Sequence, residues 1–220
     1  MMIKPYFFLF FFIFLTACDK PGPAKEDVFP WQITLLKNGK TRVFGIVVKE
    51  TNVSEAARLL GSGYKIALFE NENKSLSLEA FVQDVTLGGL SAKIILAIES
   101  NEAEKKYYRD RARKREPLGN GVIRYVLSTE DEVEVSSKKV DGLSYIPYAS
   151  LDEAMILSRF GEPARRIVID ANQEHYLYPE SGLDLLMNKD GQELLQYVMP
   201  AEFDRLMDPL KQAIESEKNN

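Results

Sequence analysis

Residues 76–98 alternate between apolar and polar side chains. Leu76, Leu78, Ala80 and Val82 are separated by Ser77, Glu79 and polar neighbours, and Leu90, Ala92, Ile94, Leu96 and Ile98 resume the period after Gly88-Gly89. Successive side chains of a strand point to opposite faces, so this pattern predicts a half-buried hairpin turned by the two glycines. One face of a sheet is thereby committed to a core.

Similar signals place the remaining elements. Asn38-Gly39 between 33–36 and 41–48 predicts a hairpin, because Asn-Gly accommodates the positive φ angles of a tight turn. Asn52, with Glu55 three residues on, predicts a helix cap, Gly61 its end, and 66–69 a short strand. A charged helix is expected over 101–115, stopped by Pro117 and Gly119-Asn120-Gly121, then strands at 122–127 and 133–136 joined across Thr129-Glu130-Asp131. Ser150-Leu151-Asp152-Glu153 reads as a capping box opening a helix to Phe160, ended by Gly161-Glu162-Pro163. Strands follow at 166–170, 175–178, 183–187 and 194–199, the last pair turned by Asp190-Gly191, before a helix from Pro200 to about residue 214.

The reading is an α+β fold of antiparallel sheets with short helices. Its parts are residues 31–99, a basic helix-and-hairpin segment at 100–149, and 150–220. The first and third parts share an order of capped helix, glycine and antiparallel strands, which suggests an internal duplication.

The N-terminus has a different character. Lys4 precedes the apolar run 6–15, and Thr16-Ala17-Cys18 follows. A cation, a short apolar run and small residues make the layout of a secretory signal peptide over 1–17. The run falls short of the ~20 residues a membrane-spanning helix needs. Leu15-Thr16-Ala17-Cys18 resembles the lipobox of bacterial lipoproteins. That resemblance implies cleavage before Cys18, a diacylglycerol thioether on its sulfur, and an acyl chain such as palmitate on the new amino group. Cys18 is the only cysteine of the 220 residues, so no intramolecular disulfide can form and lipid is its natural partner. Residues 18–30, rich in proline, glycine and charge, read as a tether. Asp19 resembles an inner-membrane retention signal of enterobacterial lipoproteins; the outer membrane stays open as the alternative.

Residues 150–199 resemble the small periplasmic domain of the SmpA/OmlA (BamE-like) lipoproteins. The likeness lies in the capped helix, Phe160-Gly161-Glu162-Pro163, Tyr176-Leu177-Tyr178-Pro179, and Leu183-Asp184-Leu185-Leu186-Met187 with Asp190-Gly191. His175 stands where that family places a tryptophan. The resemblance implies two helices against a three-stranded sheet, and a non-catalytic module that binds envelope proteins.

The chain carries few signs of chemistry. His175 is the single histidine, so His-based metal clusters and triads have little to draw on, and neither a metal nor another cofactor is expected. Glu130-Asp131-Glu132 with Glu134 reads as a solvated turn and strand edge. Gly119-Asn120-Gly121 and Gly61-Ser62-Gly63 lack the lysine and following helix of a phosphate loop. A net charge of -5 argues against nucleic-acid binding.

The expected function is a lipid-anchored, non-catalytic adaptor facing the periplasm, with the membrane and an envelope protein as partners. Candidate surface residues are Lys105, Lys106, Tyr108, Arg109 and Arg113 in the basic segment, and Tyr176, Tyr178 and Phe203 beyond it. The alternatives are a glycan- or lipid-binding protein, a carboxylate-dependent hydrolase, and a structural lipoprotein without a discrete site.

Overall fold

The computed structural model of the protein describes residues 28–218. The signal peptide, the lipobox with Cys18, and the tether up to residue 27 lie outside the described residues. The α+β fold with antiparallel sheets and short helices is as expected.

A small meander comes first, of β1 (Thr34–Leu35), β2 (Thr41–Val43) and β3 (Ile46–Val47). The single strand expected over 41–48 is broken into two. Phe44 and Gly45 both take positive φ, +53° and +76°, which makes a two-residue primed turn there. The aromatic residue at the first turn position hid this from the sequence. Its ring is buried, 5.2 Å from that of Tyr145, so packing holds it in an uncommon conformation.

Helix α1 (Val53–Leu60) is capped by Asn52, whose side chain accepts from the Glu55 amide, and ends on left-handed Gly61, as expected. Strands β4 (Lys65–Glu70), β5 (Leu76–Leu87) and β6 (Leu90–Ile98) then form the predicted hairpin and its neighbour. Asn101 and Glu104 close a full capping box on α2 (Glu102–Asp110).

Two expectations for the middle of the chain are overturned, and one strand there was not foreseen. The basic helix ends at Asp110, and residues beyond it enter β7 (Lys114–Gly119), which pairs with β8 (Val122–Val126). Pro117 and Gly119-Asn120-Gly121 therefore shape a hairpin and do not stop a helix. The strand expected at 133–136 is helix α3 (Thr129–Ser136). Ser128 caps it by accepting from the Asp131 amide, and its acidic first turn suits the positive end of the helix dipole. Finally, β9 (Val140–Pro147) had no counterpart in the sequence reading, although it joins the two halves of the main sheet.

Helix α4 (Glu153–Phe160) is capped by Asp152, not Ser150; the Ser150 hydroxyl instead donates to Glu193 at 2.9 Å. Strands β10 (Arg165–Val168), β11 (Gln173–Tyr178), β12 (Leu183–Asn188) and β13 (Leu194–Tyr197) follow, then α5 (Asp204–Lys218). All ten strands from β4 onward make one antiparallel sheet, ordered β10-β11-β12-β13-β9-β6-β5-β4-β8-β7.

The two faces of this sheet follow from register. Ile66, Ala80, Leu96, Leu143, Tyr197, Leu183 and Tyr178 are successive cross-strand partners, and all are buried in one core. Helix α1, Tyr108 of α2, Ile156 of α4 and the small meander pack on this inner face. The opposite row runs Lys65, Phe81, Ile95, Ser144, Gln196, Asp184, Leu177 and Arg165. This outer face is where the two halves part company.

Candidate functional site, the open half of the outer sheet face

Over β10–β13 the outer face is covered by α5. Phe203, Leu206, Met207 and Leu210 recur at helical spacing and pack on Ile167, Leu177 and Val198 in a second apolar cluster. Ion pairs fix the start of the helix to the rest of the body. Arg205 bonds Asp141 at 2.8 Å and Glu202 at 2.6 Å, and Lys49 meets Asp141 and Glu202. Burial pulls the Lys49 ammonium pKa down, but its two carboxylate partners outweigh this and hold it above the usual value.

Over β4, β5, β6 and β8 the same face is a groove of about 810 Å³. Its floor carries Ala67 and Phe69 of β4, Phe81 of β5 and Val126 of β8, with the Phe69 and Phe81 rings edge-to-face at 5.4 Å. Helix α3 forms one wall, presenting Val133, which is 67% exposed, and Leu118 of β7 is 53% exposed at the rim. Three cations, Lys65, Lys93 and Arg124, edge the floor. Arg124 is held by Glu116, whereas Lys65 and Lys93 form no ion pair with any described residue. Glu79, the neighbour of Ala67 and Ala97 in the same row, has its carboxyl pKa pushed up by loss of water, partly offset by the Ser77 hydroxyl at 2.6 Å.

None of the groove's central residues was singled out from sequence. The signal was present in the polar half of the 76–98 alternation. A face that simply meets water reads polar throughout, whereas here Phe81, Ile95 and Ala97 occupy its positions.

The structure moves most of the sequence-chosen surface residues elsewhere. Tyr108 is core: it is 1% exposed and its hydroxyl donates to Glu134 at 2.7 Å. Burial and that carboxylate push its phenol pKa far up. Tyr176 and Tyr178 are buried on the inner face, with phenols pushed up to about 12, mainly by burial. The Arg166 guanidinium lies 4.4 Å from the centre of the Tyr176 ring and donates to its hydroxyl at 3.0 Å; Tyr178 donates to the Gly161 carbonyl. Phe203, the residue before α5, is buried in the α5 cluster. As contact residues for a partner these four aromatics are therefore corrected to packing residues.

The basic segment is divided rather than gathered. Lys105 donates to the Leu76 carbonyl at 3.0 Å, Arg109 pairs with Asp110, and Arg113 donates to the Leu127 carbonyl at 2.6 Å. Lys106 is exposed on α2. Lys105 and Arg113 thus tie neighbouring elements together, and Arg109 is paired within its own helix.

His175 and Asp184 form a buried pair on the outer face, with Nδ1 2.9 Å from one carboxylate oxygen and 3.0 Å from the other. Both flank residues of the α5 cluster, Ile167 and Leu177, and Asp184 is the side-chain partner of the His175 ring. The pair satisfies two polar groups beneath a helix. The acidic cluster at 130–134 is dispersed around α3: Glu132 lies 3.4 Å from Arg113, Asp131 is buried 3.2 Å from Arg111, and Glu134 accepts from Tyr108. Among the described residues no group of three or more His, Cys, Asp or Glu side chains is placed to hold a metal, and no helix is long and apolar enough to cross a membrane.

No known family model, no curated protein and no solved structure matches the chain.

Proposed function

We propose that the protein is a lipid-anchored lipoprotein of the bacterial envelope whose body binds another protein through the open half of its sheet. The observation that carries this reading is the contrast across one sheet face. One half is sealed by a helix of the chain itself, and the other leaves half-buried Phe69 and Phe81 beside exposed Val133 and Leu118. Contiguous exposed apolar surface of this kind is costly in water and marks interaction sites.

The anchor rests on the lipobox-like Leu15-Thr16-Ala17-Cys18 after an apolar run. Two or three acyl chains, at ~0.8 kcal/mol for each buried methylene, hold such a protein to a bilayer durably. The likeness of 150–199 to BamE-like periplasmic modules implies a non-catalytic, protein-binding body, although here four strands of the larger sheet, with α4 and α5 on opposite faces, stand in place of two helices on a three-stranded sheet. Asp19 favours the inner membrane. Binding is favoured over hydrolysis because the groove walls present one carboxylate, Glu132, where glycosidic acid-base chemistry uses a pair.

Affinity purification after mild crosslinking in the native host tests this reading, comparing wild type with Cys18→Ala and Phe81→Asp. One envelope protein recovered near stoichiometry, and lost in both variants, is the expected result. Recovery of no specific protein by correctly lipidated wild type would sink the adaptor reading and direct attention to glycan or lipid ligands.

A further inference from the structure

We infer that the occupant of the groove is an amphipathic helix with acidic flanks, donated by the partner protein; this rests on the adaptor reading above. The chain itself shows what this sheet face accepts. Over β10–β13 the outer row is covered by Phe203 and, on α5, Leu206, Met207 and Leu210, and the start of that contact is held by ion pairs. The open half offers the same components without the helix: an apolar floor at Phe69 and Phe81, with Ile95 beside Phe81 in the same outer row and charges at the edge.

Dimensions agree with one helix. Strands lie ~4.8 Å apart, so the span from β8 through β4 and β5 to β6 is ~14 Å. A helix with its side chains is ~10–12 Å across. Helix α3, with Val133 facing the groove, supplies a lateral wall that an added helix would pack against.

Charge selects the kind of helix. Lys65 and Lys93 sit on the outer face of β4 and β6, on either side of Phe81, and neither has a carboxylate partner among the described residues. Glutamates or aspartates flanking an apolar stripe would pair with both, and complementary rim charges speed and orient docking. A second copy of this chain set face to face would bring the same lysines together instead.

A photo-crosslinking amino acid placed at position 81 or 95 of the full-length lipidated protein in its native host tests this directly, with position 155 on exposed α4 as control. The adducts are identified by their crosslinked peptides. The expected result at 81 and 95 is one peptide from another envelope protein, with apolar residues at i, i+3, i+4 and i+7 and acidic neighbours, and none at 155. Lys65→Glu with Lys93→Glu, both at solvent-accessible positions, should lower the yield at least tenfold; replacing the partner's acidic residues by lysine should restore it. A phospholipid adduct, an adduct to a second copy of this chain, a peptide without that pattern, or no adduct at all would each overturn the inference. If affinity purification still recovers a partner while positions 81 and 95 stay silent, the helix inference alone fails. If both come back empty, the adaptor reading fails with it.

Discussion

The outer face of the ten-stranded sheet is treated differently at its two ends. Over β10–β13 it buries Ile167, Leu177 and Val198 under α5, and even the polar pair His175–Asp184 is enclosed and satisfied. Over β4–β6 and β8 it presents Phe69, Phe81, Ile95 and Val126 with no helix of the described chain above them. Both halves share one inner core and one hydrogen-bonded sheet, so the sheet does not need a cover on the open side in order to form. The apolar residues there are the ones the proposed binding would cover.

Substitutions on the two halves should therefore part in stability and in partner recovery. Phe203→Ala beneath α5 should cost the fold about 3–5 kcal/mol in urea denaturation, the range for truncating a buried aromatic. A loss under 1 kcal/mol would mean that α5 does not seal its half. Gly182→Ala comes next. Gly182 has φ +67°, and an added Cβ would run into the Val198 backbone oxygen at the edge of the α5 cluster. A loss of about 2 kcal/mol is expected from that strain and clash, and an unchanged denaturation midpoint would contradict the close approach. On the open half, Phe81→Ala should cost the isolated protein about 1 kcal/mol or less, the usual range for side chains outside a packed core. It should nevertheless lower crosslinked partner recovery severalfold. Equal stability losses at Phe81 and Phe203 would erase the distinction between the halves.

The smallest effect concerns Glu79. Its folded pKa is raised, so the proton is held more tightly in the folded state than in the unfolded chain. The associated stability is fully present below the unfolded pKa of about 4.3 and is lost as pH rises through the folded value. Glu79→Gln should therefore raise the melting temperature slightly at pH 7 and leave it unchanged at pH 3. A gain of equal size at both pH values would assign the effect to something other than ionisation.

Local chemistry made much of this fold legible in the sequence. The β5–β6 hairpin follows from the alternation around Gly88-Gly89, and α1 from the Asn52 cap and Gly61 stop. Elements whose identity depends on distant partners were not legible. Residues 133–136, with β-branched Val133 and Val135 among acids, read as strand after a turn at 129–131, but the Ser128 cap and the dipole's preference for an acidic first turn make all of 129–136 helical. Strand β9, with Gly142 in its interior, has a weak local signal and exists because β6 and β13 pair with it on both sides. The candidate site suffered from the same limit. Tyr108, Tyr176, Tyr178 and Phe203 are aromatic and therefore attractive as interface anchors, but aromatics also dominate cores, and only tertiary packing decides between the two. The groove was hidden because Phe81 and Lys65 are far apart in sequence and become cross-strand neighbours only through the β4–β5 register.

The central claim, that the open half is covered by another protein in the envelope, is tested most directly by amine-reactive footprinting of lysines in intact envelopes and in the purified lipidated protein. The account predicts that Lys65 and Lys93 are modified readily after purification and strongly protected in the envelope, while exposed Lys106 on α2 reacts equally in both. Equal reactivity of Lys65 and Lys93 in the two preparations would contradict it.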